Sequence, residues 1–418
     1  MSPTVDESLP VGIEALNAYC GLAQIPVETV FTGRRLNEGR LSNLMMQQRS
    51  LGLPFEDPIT NAVNAAKPIV DALDPDEKER IEVLITSTES SIDYSKSVAS
   101  YVRRHLGLSR RCRFIEAKQA CYAATAGVQM GVAYVAAGLS PGAKVLVIAT
   151  DVSLVDGNGQ YIEPVTGAGA AAVLISDRPR VLTVDLGAFG NCSFETLDTA
   201  RPTPTFDIAD VDTSLFTYLD CLKEAFVAYR ERIDGADFET TFDFLAMHTP
   251  FGGLVKAAHR KMMREFSGKS APEIEQDFAR RVLPSLSYGS KVGNLCSGSV
   301  YLALAGLIDA VQPDTGYRVG LYSYGSGCAS EFYSGVIDQE SKAALAEMDI
   351  GLHLSGRRVF TFEEYEALLK DTHGCLVPQK DRDVDIGRWH DILDQRSTRR
   401  PLLALSAVRN YHREYEWV

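Results

Sequence analysis

Residues 116–127 read EAKQACYAATAG, and an Ala/Gly/Val-rich stretch runs on from them to about Leu139. Polar and small residues lead into Cys121, while the stretch behind it is apolar on nearly every face, which predicts a helix buried on all sides. Cys121 would then stand at the amino end of that helix, beside unpaired backbone N–H groups and the positive pole of its dipole. Such a setting lowers a thiol's pKa and makes it a nucleophile at neutral pH. The plainer reading is one more small core residue, since free cysteine is commonly buried. The surrounding chain has to separate the two.

Outward from Cys121, strand and helix patterns alternate. Upstream lie a strand at 111–118, a helix at 95–106 and IEVLITST (81–88), whose continuous apolar run suits a buried parallel strand with Glu89 at its carboxyl end. In open α/β folds ligand chemistry gathers at that end of a strand. Further upstream are a helix at 61–73 and a β-rich segment at 11–23. Downstream come KVLVIATD (144–151) and GAGAAAVLIS (167–176), and the alternation predicts an α/β core with a mainly parallel sheet.

A Pro/Thr/Asp-rich loop at 202–212 reads as a divider, and the pattern then restarts. A helix at 214–232 precedes the strand FDFLAMH (242–248), the turn TPFGG, a helix at 254–266, and Gly293-Asn294 before a small-residue helix at 295–311. YRVGLYSYGSG (317–327) and SEFYSGVI (330–337) make a hairpin. Each half places polar residues at strand ends ahead of a small-residue helix, which points to a structural duplication into 1–205 and 206–418. The tail, 340–418, carries an amphipathic helix at 360–370 and a final YHREYEWV that should pack on the body, with no evident chemistry.

Composition narrows the function classes. The 418 residues are 45% hydrophobic and 23% charged, ordinary for a globular protein. No apolar run approaches the roughly 18 residues of a membrane span, and residues 1–15 lack a secretory pattern. The eight cysteines, at 20, 112, 121, 192, 221, 296, 328 and 375, form no CxxC pair, which argues against a zinc ribbon or disulfide framework and fits a reducing cytoplasm. A net charge of −13 argues against nucleic-acid or membrane binding. Two local basic runs remain, one at 103–113 and one at 256–264.

Glu89, Cys121, His248 and Asn294 thus sit at element ends, with a fifth station in the loop Tyr324-Gly325-Ser326-Gly327. Such a set works without a metal. A thiolate can hold an acyl group as a thioester, a carboxylate can take its α-proton, and a histidine with backbone N–H groups can polarise a second carbonyl. The sum is carbon–carbon bond formation between two acyl thioesters. Each residue also has a structural reading: Glu89 as a helix cap, His248 as a core histidine bonded to a carbonyl, and the glycine loop as a plain turn.

TESSIDYSKS (88–97), EAKQACYAATAG, VLVIATD (145–151), GAGAAAVLI (167–175), HTPFGGLVK (248–256), GNLCSGSVYLALAGL (293–307) and LYSYGSGCASEFYSG (321–335) resemble, in order, segments of the 3-hydroxy-3-methylglutaryl-CoA synthases. That resemblance implies a thiolase-like, duplicated αβαβα five-layer fold and a homodimer. It implies Cys121 as the acylated nucleophile, Glu89 as acid/base for the acetyl methyl and His248 as polariser of the acceptor. Asn294, Ser326 and Gly325 would line the acyl and pantetheine sites, and Asp210 is a weaker carry-over.

Where members working on coenzyme A usually carry a lysine soon after the His-x-Pro-Phe pattern, this chain has Gly252-Gly253, and Ala200-Arg201-Pro202 replaces the usual Trp-Arg-Pro. These departures are similar to the branch found in bacterial polyketide β-branching cassettes. The resemblance therefore implies a donor acyl carrier protein, an acceptor carrier domain of a polyketide synthase, and phosphopantetheine (or CoA) as the substrate's handle, with no tightly bound cofactor. Arg260, Lys261 and Arg264 would suit an acidic carrier helix. The rival expectations are a primary-metabolic synthase using acetyl-CoA and acetoacetyl-CoA, a Cys-His-Asn ketoacyl synthase, which would not need Glu89, and a thiolase-fold partner without activity.

Overall fold

A computed structural model describes residues 9–418, so the amino-terminal reading made on residues 1–15 lies outside it for the first eight. Nine strands join into one sheet built from two copies of a four-strand motif. In the first copy the order is Ile81–Ser87, Lys144–Asp151, Gly169–Ser176, Gly12–Tyr19, paired parallel, antiparallel and antiparallel. In the second it is Phe244–Met247, Tyr317–Gly325, Ala329–Ile337, Leu182–Ser193, with the same three pairings. The copies meet where Gly12 and Ile13 pair with Thr183 and Leu182. Arg113–Ala117 extends the free edge of the first copy.

Two expectations change. The sheet is mixed rather than mainly parallel, because Lys144–Asp151 returns as Gly169–Ser176 without a crossover α-helix, and Tyr317–Gly325 turns straight back as a hairpin. The division expected at 205/206 falls inside the second motif, because Leu182–Ser193 already belongs to it. The motif boundary is the turn at 177–181. The segment read as a dividing loop holds the hairpin Thr199–Thr203 and Phe206–Ala209.

Strand parity assigns the helical layers, since neighbouring side chains leave opposite faces. Val145 and Val147 face helix Ala123–Ala136, where a Cβ on Gly131 or Gly127 would come within 3.1 Å of them. Thr150, on the other face, donates to Pro58 of helix Pro58–Ala72 at 2.6 Å. In the second motif Val319 and Leu321 share a core with helix Ser299–Ala310, whereas Tyr322 donates to Tyr218 of helix Val211–Arg232 at 2.9 Å. The middle helices meet where the hydroxyls of Thr125 and Tyr301 lie 3.1 Å apart. The result is the expected αβαβα sandwich, with both small-residue helices in its central layer.

Only one of those helices is buried all round. Ser299–Ala310 buries every residue from Ser299 to Ile308, but the helix behind Cys121 leaves Met130 61% exposed, with Ala133 and Ala137 beside it on one stripe. Next to it, Phe114 and Ile115 are exposed on the edge strand.

The tail packs on both motifs, its first helix on the second, where Lys342 donates to the Asp309 and Val311 carbonyls, and its later elements on the first. Arg358–Val359 pairs with Ala23 and Gln24, and Leu403 exchanges two hydrogen bonds with the Asn64 amide. Asp57, 1% exposed, caps helix Pro58–Ala72 by accepting from the N–H groups of Ile59 and Thr60, and its other oxygen accepts from Arg413 and Tyr415, each at 2.8 Å. Truncating Arg413 to alanine strands that buried carboxylate. A loss of about 3–5 kcal/mol of unfolding free energy is expected, measurable by urea denaturation.

Candidate active site

Strand register brings two carboxylates together. Ser87 pairs with Ala149, so Glu89 and Asp151 leave the same end of adjacent parallel strands. The Asp151 Oδ1 atom accepts from the Glu89 N–H at 2.8 Å, from the Ser90 hydroxyl at 3.0 Å and from Thr88 at 3.2 Å. Asp151 is buried and its Oδ2 has no hydrogen-bond partner among the described residues. Burial first, then the charge of Glu89, pushes its carboxyl up to about 7 against the pull of Arg201. Arg201, on the hairpin that replaces the expected loop, donates to the Glu89 carbonyl at 3.0 Å and pairs with Asp207 at 2.6 Å.

Cys121 lies in the 3₁₀ turn Ala120–Tyr122, entered through Ala120 at a left-handed φ of 43°. Its thiol donates to Glu89 Oε1 at 3.2 Å. The helix-end argument predicts an acidified thiol, and the site does the opposite. The neighbouring Cys296 draws the pKa down, but burial and Glu89 outweigh it and hold the thiol up at about 12. Cys121 therefore rests protonated, with a proton acceptor in contact.

The glycine loop backs this turn. A Cβ on Gly325 would sit 2.5 Å from both the Gln119 carbonyl oxygen and the Tyr122 nitrogen, so only glycine allows that approach. Ser326 joins through its backbone carbonyl, which accepts from the Gln119 amide at 3.1 Å. Beneath, Tyr122 donates to the buried carboxyl of Glu331 at 2.8 Å, another contact that the linear sequence did not suggest.

Asn294 shapes the corresponding turn of the second motif. Its Oδ1 accepts from the Cys296 N–H and the Ser299 hydroxyl, each at 3.0 Å, and fixes the turn Cys296–Gly298, with Cys296 at a φ of 45°. That turn presents a residue overlooked in the sequence. The Cys296 sulfur, the Cys121 sulfur and a Glu89 oxygen lie within 4.8 Å of one another. The available signal was positional, since a cysteine opens the small-residue helix in each half. The Cys296 turn is also tied to the end of the strand that precedes Glu89, where the hydroxyls of Ser87 and Ser297 lie 2.8 Å apart.

His248 follows strand Phe244–Met247, anchored by its N–H to the Tyr322 carbonyl at 2.7 Å and by its carbonyl to the Tyr218 hydroxyl at 2.7 Å. The residue is 2% exposed and its Nδ1 meets no partner among the described residues, so it is not bonded there to one of their backbone carbonyls as a core histidine would be. Burial lowers its pKa to about 3, which keeps the imidazole neutral near pH 7.

The remaining candidates are placed elsewhere. Asp210 is exposed, and its carboxylate accepts from the Thr213 N–H at 3.0 Å as the cap of helix Val211–Arg232. On helix Gly252–Phe266, Arg260 pairs with Glu275, and Lys261 pairs with Asp220 at 2.5 Å. Arg264 is exposed and has no ion pair among the described residues.

A thiol in contact with a carboxylate, with a neutral imidazole on the neighbouring motif, is equipped to form a thioester and then to remove a proton from the bound acyl group. Family profiles agree with this chemistry. Residues 65–179 match the hydroxymethylglutaryl-coenzyme A synthase N-terminal profile, and 264–381 match the C-terminal one. The chain is 44% identical over 416 residues to the polyketide biosynthesis 3-hydroxy-3-methylglutaryl-ACP synthase PksG of Bacillus subtilis, covering 97% of this chain and 99% of that protein. It is 32% identical over 374 residues to the hydroxymethylglutaryl-CoA synthase of Enterococcus faecalis, covering 89% and 94%. The crystal structure of the curacin biosynthetic pathway HMG synthase in complex with acetyl donor-ACP superposes with a TM-score of 0.95 at 44% identity, covering 98% of this chain and all of that one. The chain belongs to the hydroxymethylglutaryl-CoA synthase family.

Proposed function

We propose that this chain is a β-branching synthase: it takes acetyl from a donor acyl carrier protein and adds it to the β-keto group of a carrier-bound polyketide intermediate. The observation that carries the chemistry is the 3.2 Å contact between the Cys121 thiol and Glu89. The preference for a carrier protein is supported by the full-length likeness to PksG and to the curacin enzyme, which exceeds the likeness to the CoA-dependent synthase.

Glu89 takes the Cys121 proton as sulfur attacks the acetyl thioester, and that proton leaves on the pantetheine sulfur. Glu89 then removes a proton from the acetyl methyl. The enolate attacks the acceptor β-carbonyl, whose oxygen accepts a hydrogen bond from His248. Because His248 is neutral, it serves as a hydrogen-bond donor, and the proton held by Glu89 returns to the alkoxide. Water finally cleaves the Cys121 thioester, leaving a carboxylate on the branch and a free thiol. A Cys-His-Asn decarboxylative enzyme would have no use for Glu89. Incubating the enzyme with an acetyl-loaded carrier and a β-ketoacyl carrier tests the reading, since the acceptor must gain one acetate-derived unit. An unchanged acceptor, or a product that requires malonyl donor, overturns it.

Arg264 is the cation left for a carrier's acidic helix, since its neighbours are paired within the chain. Arg264→Glu is expected to slow Cys121 acetylation by the carrier up to about tenfold while leaving acetylation by acetyl-pantetheine unchanged. Single-turnover mass spectrometry of the enzyme reads both rates. The homodimer reading is supported by the edge strand Arg113–Ala117, whose outer side pairs with no other strand among the described residues, with exposed Phe114, Ile115 and the adjacent Met130. Among the described residues no helix is long and apolar enough to cross a membrane, and all eight cysteines are free, which supports a cytoplasmic setting.

A further inference from the structure

Cys296 has no part in the chemistry above, yet it completes a triangle of metal-ligating atoms around the nucleophile. Three separate elements supply it: Glu89 after strand Ile81–Ser87, Cys121 in the turn before helix Ala123–Ala136, and Cys296 in the turn before helix Ser299–Ala310. Their ligand atoms lie within 4.8 Å of one another, with the Cys121–Glu89 pair at 3.2 Å. A tetrahedral zinc ion bound by two sulfurs and one oxygen wants its ligand atoms about 3.5–3.8 Å apart, a spacing within reach of small side-chain rotations. Both turns are fixed by backbone contacts, Cys296 by Asn294 and the Cys121 turn by Gly325.

The electrostatics of the cavity also favour a cation. Behind Glu89 stands Asp151, 2% exposed, with an oxygen that no group among the described residues satisfies. Two carboxylates and two ionisable thiols therefore converge, and Arg201, already paired with Asp207, is the cation that reaches them.

We propose that Glu89, Cys121 and Cys296 form a binding site for a soft or borderline divalent cation such as Zn²⁺, and that its occupancy blocks acyl loading of Cys121. The sulfur-rich donor set selects zinc, cadmium or cobalt over magnesium or calcium. Each thiol that joins the ion releases its proton to solvent, and the fourth coordination position stays open for water. No electron transfer is involved. An acetyl group on Cys121 removes one ligand, so acylation and metal binding exclude each other. The inhibitory half rests on the reading of Cys121 as the acylated nucleophile, whereas the binding half does not.

The test therefore begins with binding. The full-length protein, stripped with chelator under reducing conditions, is titrated with Co²⁺, and the near-ultraviolet sulfur-to-cobalt charge-transfer band is followed. One cobalt per chain is expected, displaced by stoichiometric Zn²⁺. In Cys296→Ser the band should fall to about half, because one thiolate remains of two, and zinc should bind at least about tenfold more weakly. In Cys121→Ala the band should fall similarly. Zinc should also slow acetylation of the wild type, reversibly on adding chelator, with Cys296→Ser at least about tenfold less sensitive relative to its own metal-free rate. Absence of the cobalt–thiolate band in the wild type, or a band unchanged by Cys296→Ser, overturns the site. A normal band in a protein that does not acetylate from any donor would leave the site standing and refute the proposed reaction instead.

Discussion

Glu89→Gln is expected to accumulate acetyl-enzyme and to condense it at least about 10²–10⁴-fold more slowly than the wild type. Two effects act on the acylation step and oppose each other. The amide no longer takes the thiol proton, but removing the carboxylate also removes a charge and a hydrogen bond that hold the Cys121 thiol up at about 12. A lower thiol pKa supplies more thiolate at a given pH, so alkylation of Cys121 by iodoacetamide should reach half-maximum at a lower pH in the variant. Condensation has no such compensation, because an amide cannot remove the methyl proton. Intact mass reads the acetyl-enzyme and carrier-bound product reads the condensation. Normal condensation by Glu89→Gln would remove the base from the mechanism, and absence of acetylation would show that the acylation step also depends on the carboxylate.

Cys121→Ala is expected to abolish the acetyl adduct and to lower turnover on the order of 10⁴-fold or more, as removal of a covalent nucleophile does. The neighbouring thiol makes this prediction sharper than usual. Cys296 lies within 4.8 Å and could in principle accept acetyl itself. It is entered through a left-handed backbone conformation and points at the same space, but Glu89 accepts its hydrogen bond from Cys121. Peptide mapping of the wild-type acyl-enzyme should therefore place all acetyl on Cys121. Label on Cys296, or an adduct that survives in Cys121→Ala, would transfer the nucleophile's role to the other motif.

Most of the frame was legible in the chain because burial leaves a plain signature. IEVLITS, KVLVIATD and GAAAVLIS are continuous apolar runs, and all three became strands of the first motif. Strand direction was not legible, since the return from Asp151 to Gly169 depends on the segment Gly157–Val165, two short helical turns broken at Gln160, whose composition resembles an ordinary loop. The docking place of the tail was not legible for a related reason. Its tie to the first motif rests on Asp57, Arg413 and Tyr415, residues separated by more than 350 positions, and no local pattern announces such a contact.

The site was legible in part. Glu89, Cys121, His248 and Asn294 each stand at the end of a recognisable element. The thiol's acidity was not, because the helix-end argument considers one neighbour and the outcome is set by Glu89, Asp151 and burial together. Asp151 could have been anticipated from strand register, as it ends the strand adjoining that of Glu89. Asp210 shows that an aspartate matched by segment likeness can also be accounted for as the cap of the helix it precedes.

The central claim is that acetyl reaches Cys121 from a carrier protein. Single-turnover acetylation of the wild-type enzyme, followed by intact mass with acetyl-loaded donor carrier and with acetyl-CoA at equal concentration, tests it most directly. Carrier contacts remote from the reacting thioester should be expressed as rate, so the carrier is predicted to load Cys121 fully and at least about tenfold faster than acetyl-CoA. Equal or faster loading from acetyl-CoA would contradict the account and return the chain to the CoA-dependent members of its family.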